Sequence, residues 1–362
     1  MIMKTIIKCS NMKKFVFLLS AIALCISCQK NAEDDIDGQI HLAAVVENTP
    51  STKSPYTHTF PSQNSVFKAA VWASSIDREY KDKGYNGKTG NDSVAIHTSA
   101  NFSSNKPQLL SQAVYPKNAA KVYFVGFYPS AVWNVNKAGN IADFTFDGND
   151  DVMFAPQISG TYNQLYENSP TLNFKHLLTW LKVKIVADDE KTMMAWGNIL
   201  SIKITSKNYV SVDLSKEYVY EDCVEYKETS SGLLPLYATD SDDVFPPNEG
   251  YSIPYKPNVS GPQEVAYVLC APVIAKSSVV VDGVDTPTAE YTLYIETERR
   301  KVTLPIDLRV NDNDTPEGYY TGSTRGKYFT LNLTFKMGNT IVVSSKVEDW
   351  SLGGFGDVLF DE

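Results

Sequence analysis

Near the middle of the chain stands Leu172-Asn-Phe-Lys-His-Leu-Leu-Thr-Trp-Leu-Lys-Val-Lys-Ile-Val186. In its first half the inward positions are even-numbered: Leu172, Phe174, His176 and Leu178. In its second half they are odd-numbered, Leu181, Val183 and Ile185, while Lys182 and Lys184 point out. Strand side chains alternate with a period of two, so the inward phase changes only where a residue is inserted or the strand breaks. The slip at Thr179-Trp180 therefore predicts a β-bulge or a strand broken by a short turn. The stretch is long for one strand and follows a polar loop rich in Asn, Ser and Pro. It is expected to open a second β-domain, with Phe174 and His176 in the second core.

Downstream the same pattern recurs. Ile199–Ile204, Val210–Leu214, Val265–Cys270 and Val279–Val281 read as strands, separated by an irregular acidic segment from Glu217 to Glu249. Tyr291–Ile295 and Val302–Leu308 read as a hairpin around the charged turn Glu298-Arg-Arg-Lys301, with Pro305 placing the returning strand at an edge. The clearest signal is a final hairpin. Phe329, Leu331, Leu333 and Phe335 face in, Gly338-Asn339 turns, and Ile341, Val343 and Val347 return. Beyond Trp350 the tail holds Gly353-Gly354, and Val358 and Phe360 alternate like one more strand. Only Glu190–Trp196 carries a helical pattern.

Upstream, Gln39–Val46 is a first strand, followed by a turn-rich linker with Thr52-Lys53-Ser54-Pro55. Val66–Trp72 places Phe67, Ala69 and Val71 on one face, and Lys121–Tyr128 is a strand stopped by Pro129. Residues 77–92 read as a loop. Phe144 and Phe146 alternate, Gly148-Asn149 turns, and Asp151–Ala155 closes the first half. Short strands at this spacing predict β-sandwiches. A chain of 362 residues exceeds a single ordinary core, so two domains are expected. We divide it into 39–168 and 169–362. Tyr 21, Phe 16 and abundant Val, Ile and Thr favour strands, and 43% hydrophobic residues exclude disorder for the bulk of the chain.

The first 27 residues read as a signal peptide, with Met12 as the real start. Lys13-Lys14 precedes the apolar run Phe15–Leu24, which is too short to span a membrane comfortably. Ser27-Cys28 resembles a bacterial lipobox, which makes Cys28 the lipidated residue. Residues 28–38 form an acidic linker, Glu33-Asp34-Asp35, similar to the surface-export signal of Bacteroidetes lipoproteins. A lipid anchor attaches a protein to a membrane without a spanning helix.

No motif for chemistry stands out, and an enzyme is not expected. The net charge of −9 argues against nucleic acid as a partner. His41, His58, His97 and His176 have no zinc-ligand spacing, and His176 reads as structural. Asp147–Asp151 and Asn311–Asp314 read as solvated turns rather than calcium loops, because Val152 and Ile158 stand where an EF-hand needs Gly and Glu. No metal or other cofactor is expected. Cys223 and Cys270 either pair or remain buried thiols. Asp92-Ser93-Val94 resembles a short O-glycosylation acceptor motif. Trp72, Trp133 and Trp196 could stack on sugars if exposed, but packing in cores is the expectation.

Taken in order, the lipobox, the early strand, the linker with a basic residue, Asp151-Val-Met-Phe-Ala155, Leu172-x-Phe174-x-His176-Leu177-Leu178 and the ending Val347-Glu-Asp-Trp350 resemble the fimbrillin family of Bacteroidetes. The resemblance implies an all-β fold of two tandem transthyretin-like β-sandwich domains after a lipoprotein signal peptide. It implies a subunit of type V pili at the outer membrane and cell surface. The expected partners are other pilin subunits, the outer membrane through the lipid anchor, and host or bacterial surface ligands. It further implies cleavage after Lys53 by a trypsin-like protease and loss of the strand bearing Ile40, Leu42, Ala44 and Val46. The opened groove would take a strand from the next subunit, drawn from Ile341, Val343 and Val347 or from Val358 and Phe360. The alternative reading is a surface glycan-binding lipoprotein of a polysaccharide-utilisation system.

Overall fold

The computed structural model of the protein describes residues 38–46, 66–80, 96–103, 108–130, 134–136, 140–162, 168–228, 232–239, 241, 243–255, 261–273, 279–281, 284–286, 290–306, 308 and 325–349. The first strands are β1 (Gln39–Val46), β2 (Val66–Ser74), β3 (Ile96–Ser103), β4 (Gln108–Val114), β5 (Val122–Tyr128), β6 (Asn134–Asn136), β7 (Ile141–Thr145), β8 (Met153–Gly160) and β9 (Thr171–His176). Next come β10 (Thr179–Ala187), helix α1 (Glu190–Trp196), β11 (Ile199–Thr205), β12 (Tyr209–Asp213), the short helix α2 (Tyr220–Cys223) and β13 (Val224–Lys227). The remainder is β14 (Leu233–Pro235), β15 (Tyr237–Ala238), β16 (Gln263–Cys270), β17 (Val279–Val281), β18 (Val284–Thr286), β19 (Tyr291–Thr297), β20 (Lys301–Ile306), β21 (Lys327–Phe335) and β22 (Ile341–Asp349). The fold is all-β.

The stretch from Leu172 to Val186 is a broken strand. Leu177 and Leu178 fall between β9 and β10, two residues earlier than the expected slip, and both are fully buried. The phases are as read: Leu172, Phe174 and His176 are buried on β9, and Leu181, Val183 and Ile185 on β10. The two halves serve different sheets. β9 pairs in parallel with β1 and briefly antiparallel with β8, whereas β10 pairs in parallel with β21 and antiparallel with β16. The break is one of the two expected outcomes, but the placing of Phe174 and His176 in the second core is corrected. Phe174 packs with Ile40, Leu42 and Phe124 in the first core, and His176 Nδ1 lies 2.7 Å from Asp151 Oδ2 at that core's margin. The physical reason is the break itself. Once the ladder is interrupted, the chain is free to leave one sheet and enter another.

The first sheet has seven strands in the order β3-β2-β5-β8-β9-β1-β4. It folds back on itself: Ile40, Leu42, Leu172 and Phe174 from one end meet Val71, Val122, Phe124 and Met153 in one apolar cluster. Gly126 makes this possible, because a Cβ there would lie 2.6 Å from Cζ of Phe174. β2, β5 and β8 are buried on both faces. Ala69, Val71, Phe124 and Ala155 belong to this cluster, while Trp72, Phe127 and Phe154 on the reverse faces belong to a second, larger one. Such strands carry near-continuous apolar runs in place of alternation.

The larger core lies mainly between the sheet β15-β16-β10-β21-β22 and the sheet β14-β11-β19-β20. Val183, Ile185, Leu331 and Leu333 of the former join Ile202, Ile204, Leu293 and Ile295 of the latter. α1 is capped by Asp189, whose carboxylate accepts the Thr192 N–H at 2.7 Å, and Trp196 at its end packs edge-on against Phe335 at 5.0 Å between ring centres. The terminal hairpin turns through Gly338 and Asn339, both at positive φ, as expected. Pro305 lies on β20, the edge of its sheet, also as expected.

A fourth sheet, β13-β12-β7-β6, is built from both halves of the chain. Its centre is the antiparallel pairing of Tyr209–Asp213 with Ile141–Thr145. Beneath it the aromatic series Trp72–Phe127–Phe154–Tyr218, with ring centres 4.4, 5.3 and 5.4 Å apart, carries the larger core into the first half. At about 0.5–1.5 kcal/mol for an aromatic pair beyond its buried area, this series is a substantial part of the joint.

Candidate functional site

β1 is held inside the first sheet, between β9 and β4. Its two halves use different neighbours. Gln39, His41 and Leu42 pair antiparallel with Val114, Leu109 and Gln108, and Ala43–Val46 pair in parallel with Thr171–Phe174. Its ends are fastened by the Tyr115 N–H donating to Gly38 O at 2.7 Å and the Ala43 N–H donating to Pro170 O at 2.9 Å.

The side chains sort by parity, as the sequence pattern requires. Ile40, Leu42 and Ala44 are buried, Val46 packs against the same cluster, and Val45 on the opposite parity is 44% exposed. Burial of Ile40 and Leu42 contributes about 1.5–3 kcal/mol each. Removing β1 would leave a slot floored by Val71, Phe124, Leu172 and Phe174, with unpaired backbone groups along β9 and β4. A free edge above an apolar floor is a template for another strand. Only residues 47–65 join β1 to β2, and Lys53 lies in that segment.

The donor candidates are placed differently. β22 is paired with β21 along its full length, from Phe335↔Ile341 to Lys327↔Asp349, and forms the edge of its sheet. Ile341 is buried and Val343 half-buried against the larger core, so both already serve their own molecule. The side chain of Val347, and Val358, Phe360, Cys28 and Lys53 altogether, fall outside the described residues. So do Asn311–Asp314, His58, Asp92–Val94 and Trp133.

Residues considered for chemistry are engaged structurally. In the Asp147–Asp151 loop, Asp147 Oδ1 accepts the Asn149 N–H at 3.0 Å, Asn149 Oδ1 accepts the Tyr267 O–H at 2.6 Å, and Asp151 faces His176. Among the described residues no group of three or more His, Cys, Asp or Glu side chains is arranged to hold a metal ion. Trp72 and Trp196 are buried, Trp196 donating its indole N–H to Lys336 O at 2.9 Å, so neither offers a face to a sugar. Cys223 and Cys270 are both buried free thiols. Burial pushes the Cys223 thiol up to about 11, with Asp213 adding to the shift.

A cleft of about 460 Å³ on the outer face of the shared sheet is lined by Asp143, Tyr209, Asp213, Lys216, Glu225 and Lys227 among others. Its polar groups are largely spent on one another. Lys227 pairs with Glu225 at 2.9 Å and Lys216 with Asp213 at 3.5 Å. The Tyr209 hydroxyl is pushed up to about 12 by burial and by its bond to Asp143. The sequence reading missed this shared sheet. The available signals were the alternation of Phe144 and Phe146 and the strand pattern of Val210–Leu214, which name two strands but not their pairing.

Comparison with known proteins adds the following. A sequence profile of fimbrillin-like proteins matches residues 65–350, a span that begins after β1. No curated protein matches the chain. Among solved structures, a protein of Bacteroides uniformis proposed to act in cell adhesion is similar at 15% identity and a TM-score of 0.48, covering 87% of this chain and 100% of that one. A fimbrial protein of Bacteroides vulgatus aligns at 14% identity and a TM-score of 0.37, over 87% and 100% of the two chains. The tip fimbrial protein Mfa3 of Porphyromonas gingivalis, truncated at its C-terminus, aligns at 12% identity and a TM-score of 0.32, over 80% and 95%. No helix among the described residues is long and apolar enough to cross a membrane.

Proposed function

We propose, from the premise that the chain belongs to the fimbrillin-like family, that it is a structural, adhesive subunit of a cell-surface fimbria and not an enzyme. Its precursor is a lipoprotein anchored through Cys28 in the outer membrane. A protease cuts after Lys53, β1 leaves, and a strand of a neighbouring subunit takes its place. The incoming strand comes from the Ile341–Val347 region or from the tail with Val358 and Phe360. Donation of β22 would cost its ladder with β21 and the cover of Ile341 and Val343.

The observation that supports this reading is the setting of β1. It is an interior strand with an apolar inner face, paired with β9 on one side and β4 on the other and linked to β2 through 47–65. Ladder hydrogen bonds supply affinity and the alternate pockets supply register.

Mass spectrometry of the chain extracted from the cell surface tests it. The expected result is an N-terminus at Ser54, together with a ladder of polymers on unheated gels. A monomer that retains Gln39–Val46 and gives no ladder overturns the proposal.

A further inference from the structure

We propose that the slot of β1 controls the stiffness of the joint between the two halves of the molecule: a strand in the slot locks the joint at Leu177-Leu178, and an empty slot loosens it. The inference rests on the reading of β1 as a replaceable strand only for its consequence in a fibre. The coupling itself is a property of the intact chain.

The first observation is the division of β9. β1 provides the ladder for Thr171–Phe174, while β8 pairs only with Lys175 and His176. Among the described residues β1 is thus the strand that pairs with four of the six residues of β9, and an empty slot takes that ladder away. The second is that β9 runs into the joint without a spacer. His176 is followed at once by Leu177 and Leu178, both fully buried in the larger core. Three bonds fix the backbone there. The Leu177 N–H donates to Val152 O at 2.8 Å, the Gly326 N–H donates to Leu178 O at 2.9 Å, and the Tyr226 hydroxyl donates to Leu177 O.

The third observation is the double-faced sheet. Val71, Phe124 and Met153 line the slot, while Trp72, Val125 and Phe154, one residue further on each strand, line the larger core. Interiors packed at crystal density pass a displacement on to their neighbours and do not absorb it. A strand leaving the slot therefore unpins both β9 and the wall that carries the aromatic series toward Tyr218. In a fibre each subunit would be pliant until its neighbour's strand arrives and rigid afterwards, so stiffness would follow assembly.

Hydrogen exchange on the full, uncut chain tests the coupling. Leu42→Ala weakens the seating of β1, and Leu293→Ala removes a fully buried leucine from β19, which pairs with neither β9 nor β10. The amides of Leu177 and Gly326 are expected to exchange at least tenfold faster in Leu42→Ala than in Leu293→Ala. If Leu42→Ala does not fold, Ala44→Gly gives the same readout at smaller amplitude. Equal exchange at Leu177 and Gly326 in the two variants, with the β1 amides faster in Leu42→Ala, overturns the proposal. Because the chain is uncut, this outcome is independent of processing and polymerisation. Failure of the coupling and failure of the fimbrial reading are therefore seen separately.

Discussion

Two parallel ladders lie at the two ends of one short stretch of chain. β9 meets β1, and two residues later β10 meets β21. Both ladders bury alternate aliphatic side chains, yet they differ in length and in what holds the partner. β10 and β21 pair from Trp180↔Tyr328 to Ala187↔Phe335, and β21 is secured on its other side by its own hairpin with β22. β1 pairs with β9 only from Ala43 to Val46 and divides its remaining bonds with β4. Parallel pairing is slightly weaker per residue than antiparallel pairing, so length and backing decide its strength. The same local pattern thus yields a long ladder backed by a hairpin in one place and a short, divided one in the other.

The largest effect should come from the longer ladder, between β10 and β21. Leu331 on β21 is fully buried between Val183 of β10 and Ser345 of β22. Leu331→Ala should cost about 2–5 kcal/mol, from lost transfer energy and the cavity left behind. Chemical denaturation should show one cooperative loss of both halves, because the larger core extends into the first. If only the second half melted early, the joint would be weaker than its aromatic series and shared sheet indicate.

On the other side the sharpest probe is Gly126. A methyl there would meet Phe174 Cζ at 2.6 Å and Ala155 Cβ at 3.2 Å, and the rigid ring has a backbone behind it. Gly126→Ala should destabilise the protein by about 1–3 kcal/mol through overpacking. It should also push Phe174 toward β1. Faster exchange of the Ala43–Val46 amides is therefore expected, with those of β21 unchanged. Equal effects on both ladders would remove the distinction between them.

How much of this was legible depended on whether a strand has one face or two. The period-two phases of Leu172–Val186, the inward faces of β1 and β21 and the edge position of Pro305 were legible because one side of each strand meets solvent or a neighbouring charge. The partners of those strands were not. Nothing in Leu172–His176 distinguishes a parallel neighbour at Gln39–Val46 from a place in the second core, since both offer apolar contacts. β3 and β4 went unread because Ile96-His-Thr-Ser-Ala-Asn-Phe-Ser103 and Gln108-Leu-Leu-Ser-Gln-Ala-Val114 lack a clean alternation. The shared sheet is a long-range pairing that joins residues near 143 to residues near 211, and periodicity is silent on such pairings. Within the candidate site the inner face of β1 was fully legible, while the slot's floor was not, because Val71, Phe124 and Phe174 come from three separated strands.

The smallest effect belongs to the sheet shared by the two halves of the chain. Cys223 ends α2 directly before β13, buried beside the shared sheet, and its thiol is raised from 9.0 to about 11, first by burial and then by Asp213. The folded chain holds this proton more tightly than the unfolded chain. The neutral thiol's contribution is therefore complete below pH 9 and is lost as pH rises toward 11, on the order of 1 kcal/mol per pH unit in that window. Other groups titrate there too, so the measurement is a difference: the gap in melting temperature between the protein and Cys223→Ala at pH 7 and at pH 10.5. The gap should move in favour of the variant as pH rises, because alanine has no proton to lose. Since the shared sheet joins β7 to β12, fluorescence and amide exchange should report the alkaline loss in both halves at once. A constant gap would mean that Cys223 becomes solvated before it ionises, and a loss confined to the second half would mean that the shared sheet does not couple the two halves.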